Sequence, residues 1–333
     1  MRVLHNLEEW EQEAKRPSVI ASIGNFDGLH LAHQRLIAAI REQAAATGAA
    51  SLVVSFEPHP ARILHPATAP PLITPRDEKL RLLEASGISA VLLLPFSRDL
   101  SLLAPREFVE RVLVRGLRVR AVHEGENFRF GHRQQGTAAL LAAHGREFGF
   151  ETIVHPAVMV RGAPVSSSRI RRLVASGAVG QARHLLGRRF GLRGYLAPGR
   201  GIGHQRTVPT LNLQHYEELL PARGVYLTRV QLEDATYPAV TNVGVRPTFG
   251  EGGPVTVESH LLEWRGSAGP EAPAQVGISL GAPMAITFLA RIRDERRFES
   301  AQALRVQIQR DIAAGQAYFR RIRATINGGG HRP

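Results

Sequence analysis

The chain contains no cysteine, which removes disulfides, thiolate zinc sites and cysteine nucleophiles at once. Lysine is nearly missing as well. Lys15 and Lys79 are the only two, so arginine supplies almost all of the Lys+Arg total of 42. Aromatic residues make up 6%, which offers few of the stacking platforms that single-stranded nucleic-acid binders use. No apolar run approaches the ~20 residues of a membrane-spanning helix, and the N-terminal MRVLHNLEEWEQEAK lacks the apolar core of a signal peptide. A cytoplasmic location is the expectation. Hydrophobic residues at 44% and charged residues at 21% are globular proportions, which set aside wholesale disorder and collagen-like architecture.

A length of 333 residues suggests two domains at ~150 residues each. The net charge of +13 points to acidic partners, whether nucleic acid, anionic membrane or phosphate-bearing ligands. The excess is shared by both halves and forms no basic arm or stripe, which weighs against nucleic acid. Guanidinium forks suit bidentate phosphate recognition. Codon bias in the host genome produces the same excess with no functional cause.

From Ser18 to about Ala157, β-like runs (SVIASIG, SLVVSF, AVLLLPF, RVRAVHEG, ETIVHPAV) alternate with helical patterns (LAHQRLIAAIREQAAATG, PRDEKLRLLEASG, PREFVERVLVRG, TAALLAAHGREFG). Such alternation predicts an α/β domain with a parallel sheet and helices on both faces, binding ligands at the carboxyl ends of its strands. A helical stretch, SRIRRLVASGAVGQARHLLG, follows. Between Arg193 and Phe288 short strands and Gly/Pro turns take over (GYLAPG, GVYLTRVQL, YPAVTNVG, TVESHLLEW, MAITFLARI), predicting a small antiparallel barrel or sandwich. Ser300 is placed to cap a last amphipathic helix. Residues 265–277 have linker composition, and NGGGHRP reads as a frayed tail.

Gly24-Asn25-Phe26-Asp27-Gly28-Leu29-His30-Leu31-Ala32-His33 falls where the first strand turns into a helix. Glycines let backbone approach phosphate, and a helix N-terminus supplies N–H donors and partial positive charge. His30 and His33, three apart, project on one side and can donate to a phosphate oxygen together. No nucleophile accompanies them, so the chemistry is positioning and charge stabilisation, as phosphoryl and nucleotidyl transfer require. Zinc is the competing reading of the pair, with no carboxylate or cysteine at ligand spacing. Two surface histidines without a role are the other.

The segment resembles the GxFDxxHxGH signature of the HxGH nucleotidyltransferases. Ser55-Phe56-Glu57-Pro58-His59-Pro60, Gly125-Glu126-Asn127-Phe128-Arg129-Phe130-Gly131 and Val165-Ser166-Ser167-Ser168-Arg169-Ile170-Arg171 resemble further motifs of one branch. In this order they are similar to the bacterial bifunctional riboflavin kinase/FAD synthetase family, over roughly residues 10 to 320. The resemblance implies a Rossmann-like first domain in which His30 and His33 hold ATP phosphates while FMN attacks the α-phosphorus. It also implies that Gly24, Asn25, Phe26, Asp27, Gly28 and Asn127 line the ATP site. Ser167, Ser168 and Arg171 would belong to a mobile phosphate-clamping loop, and Phe56, Pro58 and His59 would form the flavin side. Ala32 stands where the family has glycine, a change a helical backbone tolerates and a phosphate-touching backbone does not. Ser168 for threonine keeps the hydroxyl.

Pro209-Thr210-Leu211-Asn212 resembles the PTAN motif of riboflavin kinases, where Thr and Asn oxygens contact Mg²⁺ on ATP; a hard cation prefers such donors. Asn242-Val243-Gly244-Val245-Arg246-Pro247-Thr248-Phe249 resembles NIGxRPTF. Val257-Glu258-Ser259-His260-Leu261-Leu262 resembles VExHLL, whose Glu is the base for the riboflavin 5′-hydroxyl. The RIRDERRF segment, with Arg293, resembles the part that packs beside the flavin. Gly201 and Gly203 would belong to the ATP loop, in which Thr207-Val208 replaces Gly-Phe. Ser279-Leu280-Gly281 stands for LYG.

The expectation is therefore an adenylyltransferase domain over 1–184, a riboflavin kinase barrel over 185–325 and a disordered tail over 326–333. Together they would convert riboflavin to FMN and FMN to FAD with ATP and Mg²⁺. Partners would be riboflavin, FMN and ATP, with no nucleic acid or membrane and a possible homo-oligomer. The alternatives are a chain with one activity intact, the kinase loop being altered, and an arginine-rich nucleic-acid-binding or flavin-sensing regulator.

Overall fold

The computed structural model describes residues 1–12, 17–197, 210–214, 216, 218–245, 255–262 and 279–328. The chain divides into two units, Met1–Ser167 and Ser168–Pro333. In the first, β1 (Arg2–Leu4), α1 (Leu7–Glu11), β2 (Val19–Ile23), α2 (Leu31–Thr47), β3 (Ala50–Glu57), α3 (Pro60–Leu64), α4 (Arg76–Ala85) and β4 (Ala90–Pro95) come first. Next are α5 (Arg98–Leu102), α6 (Pro105–Phe108), which runs into a π-helical stretch Val109–Gly116, and β5 (Val119–Gly125). The pairs β6 (Arg129–Phe130) with β7 (Gly136–Thr137), and β9 (Met159–Val160) with β10 (Ala163–Pro164), are short hairpins that flank α7 (Ala138–Phe148) and β8 (Glu151–His155).

Six strands form one parallel sheet in the order β1-β4-β3-β2-β5-β8. All five β2 residues are buried, as a strand covered on both faces requires. Trp10, Phe108, Leu113 and Leu141 pack on one face with Val54 and Leu92. Ile37, Ile40 and Leu83 pack on the other with Ile20 and Val91. Every strand and helix expected here from periodicity is present. β1 is an addition, because three residues carry no period. From β2 the chain winds outward through β3 and β4 on one side and β5 and β8 on the other. The crevice of such a sheet therefore opens at the carboxyl ends of β2 and β5.

The stretch expected as one helix after Ser166 is two, α8 (Ser167–Ala175) and α9 (Val179–Leu186), separated at Gly177, whose φ is 79°. The second unit then forms a closed antiparallel barrel, β11-β12-β15-β14-β13-β16. Its strands are β11 (Gly191–Ala197), β12 (Leu211–Gln214), β13 (Gly224–Leu232), β14 (Ala235–Val245), β15 (Val255–Leu261) and β16 (Pro283–Asp294). Closure leaves no free edge, which settles barrel over sandwich. Fully buried Thr228, Thr241 and Ser259 share hydroxyl hydrogen bonds of 2.7 and 2.8 Å across β13, β14 and β15. The alternate residues Val225, Leu227 and Val240 pack on Phe319 of α10 (Ala301–Gly328), so they face outward. Ser300 caps α10, accepting from Ala303 N–H at 3.1 Å. The helix continues through 326–328, the start of the expected tail. Residues 329–333 and the 265–277 segment lie outside the described residues.

At the β5–β8 edge, His123 Nδ1 lies 2.9 Å from His155 Nε2, and His123 Nε2 lies 2.5 Å from Gln43 Oε1. The amide oxygen only accepts, so Nε2 carries the proton and Nδ1 accepts from His155. Burial, then the neighbouring His155, pushes His123 down to about 4 from the ordinary 6.5. The unfolded chain binds more protons between those values, so stability is full above pH ~6.5 and declines as pH falls toward 4. Denaturant titrations of wild type and His123→Gln should diverge over that window, the variant being flatter; parallel curves would contradict the assignment.

Candidate active sites

β2 hands the chain to α2 through a tight turn in which Phe26 (φ 48°), Gly28 (φ 90°) and Leu29 (φ 35°) are left-handed. For Phe and Leu that conformation costs about 1–3 kcal/mol each and persists only where the surroundings enforce it. Asp27 enforces it. Its buried carboxylate accepts from Ile73 N–H (3.0 Å), Thr74 N–H (2.9 Å) and Thr74 Oγ1 (3.1 Å). Gly28 N–H in turn donates to Thr74 Oγ1 at 2.8 Å, and Ser167 Oγ donates to the Asp27 carbonyl at 2.8 Å. Gly24 N–H donates to Val54 O at 3.0 Å, and Ser55 Oγ donates to Asn25 O at 3.3 Å.

His30 is the N-cap of α2, its Nδ1 accepting from His33 N–H at 3.4 Å. The two imidazoles stack, centroids 3.7 Å apart and 16° between planes, with Phe26 5.0 Å from His33. Two side-by-side rings thus stand over the first turn of a helix, where N–H groups and the helix dipole favour an anion. Ala32 is the second residue of α2; its methyl sits on helical backbone, the tolerant case.

Phe56, Pro58, His59 and Asn127, predicted for the same site, lie at the carboxyl ends of β3 and β5. Phe56, next to last in β3, meets Phe96 edge to face, centroids 5.7 Å apart, and Glu57 closes the strand. Pro58 follows, and His59 caps α3, Nδ1 accepting from Ala61 N–H at 3.2 Å. Asn127 is exposed on the turn after β5, which is pinned by Phe128 N–H to Gly125 O (2.9 Å) and Glu126 N–H to His155 O (3.0 Å). Ser167, Ser168 and Arg171 correct the expected loop: they open α8, whose buried Ile170 and Val174, four apart, define a helical stripe. Ser168 and Arg171 belong to the second unit.

Two residues of the first unit escaped the sequence reading. Glu124 is fully buried where β2 and β5 stop pairing, past Ala21 and Val122. Its Oε1 accepts from Ile23 N–H at 2.5 Å in place of a strand partner. Burial outweighs its hydrogen bonds and pushes the carboxyl well up. Lys79, on α4, is buried and donates to Ser55 Oγ at 3.2 Å. Its only signal in the sequence is the rarity of lysine.

In the barrel, β12 was not predicted, although it follows Thr210 directly and carries Asn212. Register sets Asn212 opposite Glu258, and Glu258 opposite Asn242. Side chains directly opposite share a face, so the three form a row across β12, β15 and β14 on the outward face that α10 also covers. Asn212 is buried, Glu258 and Asn242 half-buried, and Thr210 exposed. Asn242 stood in a quoted motif without a role. Beside it, Glu295 Oε1 accepts from Val245 N–H at 3.1 Å, and a Cβ on Gly244 would overlap that oxygen. Gly201, Gly203, Thr207-Val208 and Arg246 lie outside the described residues.

Arg293 is engaged by the protein. Its Nε and Nη2 donate to the Asp311 carboxylate at 3.0 and 2.8 Å, and Nη1 donates to Asp294 O at 2.9 Å. Gln307 Nε2 also donates to Asp311, at 2.8 Å. Asp311 is buried, so this fork ties β16 to α10. Asp311→Ala strands a half-buried guanidinium and should cost about 3 kcal/mol, read as a lower unfolding midpoint; an unchanged midpoint would contradict the clamp.

The first unit matches the family model described as FAD synthetase over residues 11–169, and the second matches that described as riboflavin kinase over 186–319. The bifunctional riboflavin kinase/FMN adenylyltransferase of Pseudomonas fluorescens is 34% identical, covering 95% of this chain and 96% of that protein. That of Escherichia coli (strain K12) is 32% identical over 96% and 97%. A solved structure described as a macrolide-efflux protein from Streptococcus pneumoniae superposes with a TM-score of 0.80 at 26% identity, covering 94% of this chain and 98% of that one. Among the described residues, no helix of this chain is long and apolar enough to cross a membrane.

Proposed function

The chain belongs to the family of bifunctional riboflavin kinases/FMN adenylyltransferases, and we propose on that premise that its two units divide the synthesis of FAD from riboflavin. It is a transferase with two reactions: riboflavin and ATP give FMN and ADP, then FMN and ATP give FAD and diphosphate. The observation that carries the reading is the pairing of a stacked His30–His33 cap on a tethered turn with the Asn212–Glu258–Asn242 row in a separate unit.

In the first unit an FMN phosphate oxygen attacks the α-phosphorus of ATP, and the bond from that phosphorus to the bridging oxygen of the leaving diphosphate breaks. No protein nucleophile is required. The imidazoles of His30 and His33 and the N–H groups of α2 hold the phosphate charge that shifts in the transition state. Asp27 is read as a positioning residue, since its carboxylate is turned to Ile73 and Thr74. Gly24, Asn25, Phe26 and Gly28 give the turn its shape. Asn127 stands on the nucleotide side, and Phe56, Pro58 and His59 on the flavin side. For Ser168 and Arg171 a phosphate role rests on the family resemblance.

In the second unit Glu258 accepts the proton of the riboflavin 5′-hydroxyl as that oxygen attacks the γ-phosphorus and ADP departs. Asn242, beside it in register, steadies its carboxylate. Thr210 and Asn212, two apart and so on one face of the extended chain, offer the neutral oxygen donors that suit Mg²⁺ arriving with ATP. When bound, that ion supplies charge neutralisation. Arg293 is read as a clamp on α10. The substrates are riboflavin, FMN and ATP, the location is the cytoplasm, and nucleic acid has no part.

Incubation of the full chain with riboflavin, ATP and Mg²⁺, followed by chromatography of flavins, should show FMN and then FAD. The absence of both, with no FAD from supplied FMN, would end the reading. His30→Ala with His33→Ala should lower FAD formation by about 100-fold or more while FMN still forms. Glu258→Ala should lower FMN formation by about 100-fold while supplied FMN is still converted. Ala32→Gly should leave FAD formation within about twofold, since its backbone is helical; a large gain would show that the methyl blocks phosphate.

A further inference from the structure

Lys79 is one of two lysines in a chain that otherwise uses arginine for positive charge, and it is 4% exposed. A buried ammonium is expensive unless paired, because it gives up hydration and three donors need acceptors. Among the described residues Lys79 Nζ makes one hydrogen bond, to Ser55 Oγ at 3.2 Å, and no ion pair. Burial lowers its pKa, while Asp27 and then Glu57 act through space to raise it.

The placement gives the charge a task. Lys79 donates to Ser55 Oγ, and Ser55 Oγ donates to the carbonyl of Asn25, inside the turn that would carry polyphosphate. The same turn is tethered by the buried Asp27 carboxylate, a negative charge within the turn proposed to hold negative ligands. Uncompensated, it would repel ATP through low-dielectric surroundings. A compact ammonium fits a buried niche that a planar guanidinium fork does not.

Resting on the adenylyl-transfer reading, we propose that Lys79 is a positioning residue. Its ammonium offsets the Asp27 carboxylate so that the turn tethered by Asp27 still accepts polyphosphate, and through Ser55 it fixes the Asn25 carbonyl. Neither group touches the reacting atoms.

Lys79→Met keeps the length of the side chain and removes the charge. In FAD formation from FMN its KM for ATP should rise about tenfold or more, with KM for FMN and the riboflavin kinase rate unchanged. Adding Asp27→Asn should restore most of the ATP KM, since Oδ1 of the amide still accepts from Ile73 and Thr74. A merely structural lysine would give the opposite pattern, two losses that accumulate. An unchanged ATP KM in Lys79→Met, or a double variant no better than the single one, overturns the proposal. Calorimetric titration of the same three proteins with a non-hydrolysable ATP analogue separates this failure from that of the function. If wild type forms no FAD, the adenylyl-transfer reading falls. Lys79 is then judged by whether analogue affinity drops in the single variant and returns in the double, equal affinity in all three overturning it. Unfolding midpoints identify a variant that has not folded.

Discussion

The turn between β2 and α2 exists because one carboxylate holds it. Phe26 and Leu29 are left-handed against their own preference, and Asp27 sets hydrogen bonds to Ile73 and Thr74 against that strain. With the turn fixed, His30 falls at the N-cap of α2, the imidazole of His33 stacks on it, and the first N–H groups of the helix face the carboxyl ends of β2 and β5. The same tether puts a negative charge in the turn proposed to bind phosphate, which is why the buried Lys79, linked to that turn through Ser55, acquires meaning. Between exposed groups such a through-space effect would be a minor matter of a few tenths of a kcal/mol; burial gives it more weight.

The two units meet the demands of phosphate chemistry in different ways. In the parallel sheet the resources are backbone donors, a helix terminus and imidazoles, all at one edge where the winding reverses. In the barrel, antiparallel register brings Asn212, Glu258 and Asn242 into a line, so strand pairing itself would build the proposed site. The Arg293–Asp311 fork ties α10 to β16, which lies across the barrel from that wall. Arginine, read first as a sign of an acidic macromolecule, has in this instance a purely internal partner.

Much of the fold was legible in the sequence. Strands such as VIASI and VLLLP are continuous apolar runs, the mark of a sheet covered on both faces, and the helices between them keep a clear period. β1 and β12 were not, being three and four residues long and held by neighbours rather than by any pattern of their own. Of the proposed site residues, His30 and His33 stood out by spacing, and Glu258 and Asn212 by resemblance. A motif names a residue without saying which way its side chain turns: the Asp27 carboxylate faces Ile73 and Thr74, and the Arg293 guanidinium faces Asp311. Lys79 and Glu124 carried no motif. Only burial, visible once the chain is folded, shows that either is costly to keep and so calls for an explanation.

The Asp27 tether, if it holds the proposed adenylyl-transfer site together, should leave the kinase untouched. Asp27→Ala, which removes both the charge and the acceptor, tests it by measuring the two product rates in one protein. FAD formation from FMN should fall by about 100-fold while FMN formation from riboflavin continues at the wild-type rate. FAD formation at the wild-type rate would contradict it.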